Sequence, residues 1–354
     1  MRSADGVMVV RRRHYVPRPP RGMRRLVSEL TFGTRLFFGR WGRPDAVIAA
    51  SPALFATAIA ALRVRLSLRR PALIVWVQDL YSLGLRETGE GGRLTARVTR
   101  WVESAVVKAA DRVVAIHPRF AEYIVNELKA DRSSVQVIRN WTHVAPPTEI
   151  DPTSCRDRLG WPRDAALVVH TGNMGAKQGL ENVIEAARLA DERQSIVRFI
   201  LVGEGGERAA LEARAAGIER VDFVDPLDEN DYILALAAAD ILLVQERAGV
   251  ASMAVPSKLT SYFNAGRPII AATDPTGITA SEIAASAAGV VVPPTDPVAL
   301  LAAAEALHLD TTARDQFSKA GRLYREAVLS EETALSAFEH LLDDALTSRS
   351  RHRR

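Results

Sequence analysis

The sequence predicts an α/β protein built from two doubly wound, Rossmann-like domains, and three observations predict it. From Ala46 onward, short β-branched apolar runs alternate with longer helical stretches, the pattern of parallel sheets covered by helices. A segment rich in Pro, Thr and Asp, WTHVAPPTEIDPTS (141–154), interrupts that rhythm, after which the alternation restarts. The length of 354 residues also exceeds the usual size of a single core.

In chain order, MVVRRRHYVP supplies one short strand, and residues 23–43 form an amphipathic helix with Leu26, Leu30, Phe37 and Trp41 among arginines. Strands follow at 46–51, 72–77, 112–116 and 135–138, with helices over 52–68, 92–109 and 118–129. So few strands imply a first domain, residues 1–140, that lacks its N-terminal part. After the 141–154 linker, strands are expected at 166–171, 196–203, 221–224, 240–244, 268–273 and 289–294, within a second domain at 155–310. Closing helices cover 311–345, and 346–354 form a disordered tail. Two such domains would leave a cleft, and ligands in such sheets sit at the carboxyl ends of strands.

An apolar fraction of 47% with 25% charged residues is ordinary for a globular chain. The single Cys155 cannot form an internal disulfide, and the N-terminus has no charged-then-apolar leader, which points to the cytoplasm. The longest uncharged run, 46–62, includes Ser51, Pro52 and Thr57 and falls short of the roughly 20 apolar residues of a membrane span. Residues 1–70 carry 15 arginines and three acidic residues, a balance of +12 in a chain whose net charge is +4. Such a front suits an anionic surface, here membrane headgroups. It lacks the interleaved aromatic residues and reading helix of a nucleic-acid site, so no nucleic-acid partner is expected.

Two segments place backbone N–H groups where an anion could meet them. In VVHTGNMGAKQGLENV, Gly172, Gly175 and Gly179 lie between a strand and a helix, with Lys177 beside them. In VPSKLTSYFNAGRPII, Pro256 suits the first helical turn, Ser257 can cap it, Lys258 adds charge and Gly266 ends the helix. A tight turn and a well-capped helix explain the same residues without a ligand. If both bind anions, a diphosphate fits the pair. No Asp-x-Asp sequence occurs in the chain, so this reading needs no metal.

TGNMGAKQGLENV, LVGEGGER and VPSKLTSYFNAGRPII, with VQDLYSLGLRETG, AIHPRF and VIRNWTHV in the first half, resemble glycosyltransferase family 4 over roughly residues 5–305. The resemblance is to its bacterial polysaccharide subgroup, which includes colanic acid and N-acetylfucosaminyl transferases. It implies a GT-B fold and retaining transfer from a nucleoside-diphosphate sugar held almost wholly by the second domain, with no separate cofactor. Carried over by position, Lys177 contacts the donor diphosphate, with Gly172, Asn173 and Gly175 beside it. Asn173 stands where the wider family has arginine, so Lys258 or an arginine is expected to supply that charge. The family's two glutamates eight residues apart correspond to Met253 and Ser261, which leaves Ser261 for the ribose and no acid for the sugar at Met253. Glu246 is either a sugar-facing residue or a loop-surface glutamate, and the base lies near Val224, Asp225 and Leu227. Asp79 takes the catalytic or acceptor-orienting place in the first domain. His117 is a capping or cleft residue, and Asn140 and Trp141 are hinge or cleft-wall residues.

The implied acceptor is a saccharide or polyprenyl-linked saccharide, reached at the inner membrane face through the 23–43 helix. The alternatives are a sugar-nucleotide epimerase of the same architecture, and a truncated product that binds nucleotide without transferring a sugar.

Overall fold

The computed structural model describes residues 2–4, 7–18, 22–88, 92–142, 151–249 and 256–352. Linker residues 143–150 and Met253 lie outside them. The chain forms two compact units, Met1–Arg139 with Leu335–Arg354, and Asn140–Ala334.

The first unit opens with a hairpin of β1 (Arg2–Ala4) and β2 (Val7–Val9). Then come α1 (Gly22–Phe38), β3 (Ala46–Ser51), α2 (Leu54–Leu66), β4 (Ala72–Val77), α3 (Tyr81–Thr88), α4 (Gly92–Ala109), β5 (Arg112–Ala115), α5 (Pro118–Asn126) and β6 (Val135–Val137). The parallel sheet has the order β3-β4-β5-β6. The hairpin and α3 go beyond the expected elements. Gly84 makes α3 a poor autonomous helix, and Glu103 of α4 holds it by accepting from the Ser82 N–H (3.1 Å) and hydroxyl. Burial raises the Glu103 pKa.

Helix α1 is shorter than the predicted 23–43 and packs one face on α2. Glu29 accepts from the Phe55 N–H at 3.0 Å, and a Cβ at Gly33 would lie 2.6 Å from Ile59 Cδ1, so only glycine permits this approach. Met23, Val27, Leu30 and Phe38 are exposed. Among the described residues, no helix is long and apolar enough to cross a membrane.

The second unit comprises α6 (Pro152–Leu159), β7 (Ala166–Thr171), α7 (Glu181–Glu192), β8 (Val197–Val202), α8 (Arg208–Arg214), β9 (Val221–Val224), α9 (Glu229–Ala238), β10 (Ile241–Gln245), α10 (Lys258–Ala265), β11 (Ile269–Ala272), α11 (Ile278–Ser286), β12 (Gly289–Val292), α12 (Pro297–Leu309) and α13 (Thr311–Val328). Residues 151–154, expected in the linker, instead begin a helix, because Asp151 accepts from the Thr153 and Ser154 N–H groups as the N-cap of α6. The sheet is parallel in the order β12-β11-β10-β7-β8-β9. The chain starts mid-sheet, builds to one edge, returns and builds to the other. A crevice therefore opens at the carboxyl ends of β7 and β10, where the direction of winding reverses. One core packs α7, α8 and α12 on one face, and a second packs residues of α6, α9, α10 and α13 on the other.

The C-terminus departs from expectation. In place of closing helices to 345 and a disordered tail over 346–354, α14 (Glu331–His352) runs on as a helix. Leu341 and Ala345 are buried, Phe338 packs edge-on against Trp76 at 5.0 Å, and Arg112 donates to the Ser348 hydroxyl at 3.4 Å. Tertiary packing on the first unit thus carries helix into the polar tail. Residues 353–354 lie outside the described ones.

At the amino end of the second sheet, buried Arg156 donates to Asp240 (2.8 Å), Ala238 O (3.0 Å) and Ala165 O (3.2 Å), while Asp240 also accepts from the Leu167 N–H. This one guanidinium joins α6, α9, β7 and β10. Arg156→Met should cost about 3 kcal/mol, because it removes the close charge partner of the half-buried Asp240 carboxylate and the donor to two carbonyls. Urea unfolding measures this, and a loss below about 1 kcal/mol would contradict the assignment.

Candidate functional site

Strands β7 and β10 pair only at Val168–Ile241 and Val169–Leu242. The Gly172 N–H points to β8, where it donates to Val202 O (2.8 Å), so the Thr171 N–H one residue earlier faces β10. An unbroken ladder would deliver it to Leu243 O. Instead the buried Tyr262 hydroxyl of α10 stands between them, accepting from Thr171 N–H at 2.9 Å and donating to Leu243 O at 3.4 Å. Burial raises the pKa of this phenol and keeps it protonated. The strands therefore splay with their polar groups satisfied, and a cavity of about 740 Å³ opens at the splay.

The cavity gathers Gly172, Asn173 and Lys177 from the turn after β7, and Pro256, Ser257 and Lys258 at the start of α10. Lys258 is partly exposed as a residue, but its ammonium points inward, 3.1 Å from His170 Nε2. A Cβ at Gly172 would lie 3.6 Å from that nitrogen. Desolvation lowers the Lys258 pKa to about 7, against an opposing pull from Glu246. His170 is 0% exposed, with Nδ1 3.2 Å from Leu243 O. Burial, then Lys258, holds its pKa well below the usual value, so the ring is neutral. The hydrogen bonds assign the proton to Nδ1 and leave Nε2 as an acceptor.

The glycine turn is a tight fit more than an amide cradle. Gly203 has φ +137° and its Cβ would lie 2.0 Å from Gly172 O, while a Cβ at Gly205 would lie 2.2 Å from Met174 O. The two turns after β7 and β8 thus touch backbone to backbone. Gly172 N–H is committed to Val202 O, Met174 N–H to Glu204 O and Gly175 N–H to Gln178 Oε1 (3.1 Å). This corrects the expected amide contacts from Gly172 and Gly175, and Gly175 does not line the cavity. Ser257 also departs from its expected role. Its side chain makes no capping bond; its backbone carbonyl accepts from the Thr260 hydroxyl at 2.7 Å.

Glu246, just past β10, lines the cavity with its carboxylate held by the Thr273 hydroxyl and by Thr279 (2.8 Å). Ser261 lies 3.4 Å from the Thr142 hydroxyl, and both line the cavity with Trp141. Of the expected base-side residues only Leu227 does so. Val224 packs in the core, and Asp225 is drawn to Arg208 at 2.7 Å. The wall is completed one turn later by Asp228, Glu229 and Tyr232.

The remaining candidates lie elsewhere. Asp79 follows β4 in the first unit and borders a small void of about 10 Å³ with Ser51 and Glu103. His117 is the buried N-cap of α5, accepting at Nδ1 from the Arg119 N–H (3.1 Å), which is the capping alternative. Half-buried Asn140 does not line the cavity. Sequence reasoning overlooked His170, Tyr262 and Tyr232. Of these only His170 carried a signal, a polar ring in a strand otherwise apolar up to its last residue, since buried polar groups require partners.

The family described as Glycosyl transferases group 1 matches residues 165–310, and the Glycosyl transferase 4-like domain matches residues 1–141. The colanic acid biosynthesis glycosyl transferase named WcaI, of Escherichia coli K12, is 33% identical over 267 residues, covering 71% of this chain and 64% of that protein. The glycosyltransferase named WbjE, of Pseudomonas aeruginosa, is 28% identical over 292 residues, covering 79% and 70%. The match thus spans less than two thirds of the first relative's length. The crystal structure of Anabaena HepE in complex with UDP aligns with a TM-score of 0.69 at 16% identity, covering 90% of this chain and 84% of that one, a likeness of fold. The chain belongs to the group 1, family 4-like glycosyl transferases and has their GT-B fold of two Rossmann-like domains.

Proposed function

We propose that this chain transfers a sugar, with retention at the anomeric carbon, from a nucleoside-diphosphate donor to a saccharide or lipid-linked acceptor during cell-surface polysaccharide synthesis. The observation that carries the reading is the cavity at the switch point, where Lys177, Lys258 and the start of α10 converge. WcaI is named for colanic acid biosynthesis, and HepE was solved with UDP. The same class of ligand suits this cavity.

In the reaction the bond from the anomeric carbon to the diphosphate breaks and the acceptor oxygen forms a new bond to that carbon. The acceptor hydroxyl loses its proton, and negative charge collects on the departing phosphate. Lysines and N–H groups fixed beside that phosphate stabilise the charge as it develops, more strongly than water would. They supply this without assigning a role to a metal. We assign Ser261 to a ribose hydroxyl, Glu246 to the sugar, and Leu227 with Tyr232 to the base, a reading supported by their lining the cavity. Asp79 is the proposed acceptor-side carboxylate.

Charge-assisted hydrogen bonds are worth about 1.5–3 kcal/mol each. Lys177→Met and Lys258→Met should therefore each weaken nucleoside-diphosphate binding by about 10- to 100-fold while melting temperature is kept. Calorimetry with UDP, GDP and dTDP tests this; a wild-type protein that binds none of the three would sink the donor-site reading.

Asp79→Asn should lower turnover by about 100-fold, within the usual range for an acid–base group, and leave nucleotide affinity unchanged. Nucleotide release from a sugar-nucleotide panel, with and without acceptor, reports it. Donor isomerised without acceptor would instead mark an epimerase.

Exposed Met23, Val27, Leu30 and Phe38 on α1, with the arginines around them, are proposed to meet anionic headgroups. The protein should float with phosphatidylglycerol vesicles at low salt and less with Phe38→Asp. No flotation would remove the membrane partner.

A further inference from the structure

Lys258 and His170 form an unusual pair for an anion site. A cationic side chain on a cavity wall is commonly steadied by a carboxylate, which neutralises it and competes with the incoming anion. Here the ammonium rests against a neutral imidazole. The ring is locked on one side by Nδ1–H donating to Leu243 O and presents only the Nε2 lone pair to Lys258 Nζ. It orients the ammonium without neutralising it.

The charged and titratable groups around Lys258 come from each neighbouring element. They are His170 on β7, Lys177 on the following turn, Glu246 after β10, Asp228, Glu229 and Tyr232 at the start of α9, and Tyr262 on α10 itself. Glu246 is the group that supports the charge, and its oxygens already accept from Thr273 and Thr279. Asp228 is engaged as the cap of α9, accepting from the Asp231 N–H at 2.9 Å. Desolvation opposes the ammonium, and among the described residues its close partner is the imidazole, with Glu246 acting only through its charge.

Resting on the donor-site reading above, we propose that His170 is a positioning residue that holds the Lys258 ammonium against the Gly172 turn, and that the pair makes donor binding proton-coupled, one proton being taken up from solvent as the diphosphate arrives. The proton goes to Lys258 Nζ, and no other bond changes.

The sign follows from linkage. Lys258 titrates at about 7 in the empty site, and a neighbouring diphosphate raises that value. The contribution of Lys258 is then fullest below pH 7, about half at pH 7, and falls as pH rises further, by up to about tenfold per unit. The terminal phosphate itself titrates near 6, so it is already about nine-tenths ionised at pH 7 and its remaining ionisation would oppose, not cause, a fall in affinity above that pH.

The test is titration calorimetry with UDP, GDP and dTDP from pH 7 to 9, in buffers of differing protonation enthalpy, on the full chain. Wild type should take up close to one proton near pH 8 and lose affinity by about 10- to 100-fold across the range. Lys258→Met should bind weakly and without that slope. His170→Leu should lose about fivefold or more at pH 7 and show an altered slope, which loss of packing alone would not produce. His170→Gln should recover much of both, because its amide can donate to Leu243 O while its carbonyl accepts from Lys258. Wild-type binding that is flat from pH 7 to 9, or a His170→Leu profile identical to wild type, overturns the pair and leaves the donor site standing. Failure of wild type to bind any of the three nucleotides overturns both. If His170→Leu does not fold, the wild-type slope and its loss in Lys258→Met still decide the question.

Discussion

The separation of β7 from β10 beyond Val169 and Leu242 is the constraint on which the second unit depends. Two parallel strands that part company would strand an N–H and a C=O in the core, at a cost of about 1–3 kcal/mol for each group left unmade. Tyr262 removes that cost by inserting its hydroxyl between Thr171 and Leu243, and His170 adds a second donor to the same carbonyl. Both sit in the machinery of the cavity. The phenol belongs to the helix that carries Lys258, and the imidazole orients that lysine, so opening the sheet and placing the charge are one arrangement.

The two lysines differ in kind. Lys177 stands on an exposed turn, whereas the Lys258 ammonium points inward onto an imidazole nitrogen. The glycine turn between them is fixed by its neighbour, since Gly203 and Gly205 allow the loop after β8 to touch the Gly172–Met174 backbone. That contact commits the amides of Gly172 and Met174 and gives the turn a rigid shape. The charge facing a ligand here comes from side chains.

Much of this was legible in the sequence. Strands such as 72–77 and 166–171 stand out because apolar runs buried on both faces are continuous, and 46–51 because it is an uncharged run before a helical stretch. The doubly wound order follows from alternation, and the Lys177 and Lys258 segments were identifiable at the ends of strands. What escaped was held by distant contacts. Helix α3 depends on Glu103, and the C-terminal helix on Trp76 and Arg112. Ser257 has the composition of a cap but helical backbone angles and no capping bond. The base-side wall lies at Leu227–Tyr232, one turn beyond most of the expected positions, because Asp225 is drawn outward by Arg208. His170 was hidden by its setting, at the polar end of the run ALVVHT.

Asn173 brings these points together. The wider family places arginine there, on the turn, where its charge is permanent at any physiological pH. In this chain that position holds an amide donating to Gln178 at 3.3 Å, while a cation enters the same cavity from α10 as Lys258. Moving a charge from turn to helix changes its chemistry as well as its origin. A guanidinium cannot be deprotonated in a protein, whereas a desolvated ammonium can. The relocated charge is therefore adjustable, strongest when an anion is present to stabilise it and weaker in the empty site. Under the proposed function the cavity binds a diphosphate and later releases it. An ammonium that loses its counter-charge when the diphosphate leaves, and returns toward neutrality beside His170, gives the empty site less excess charge than a fixed arginine would.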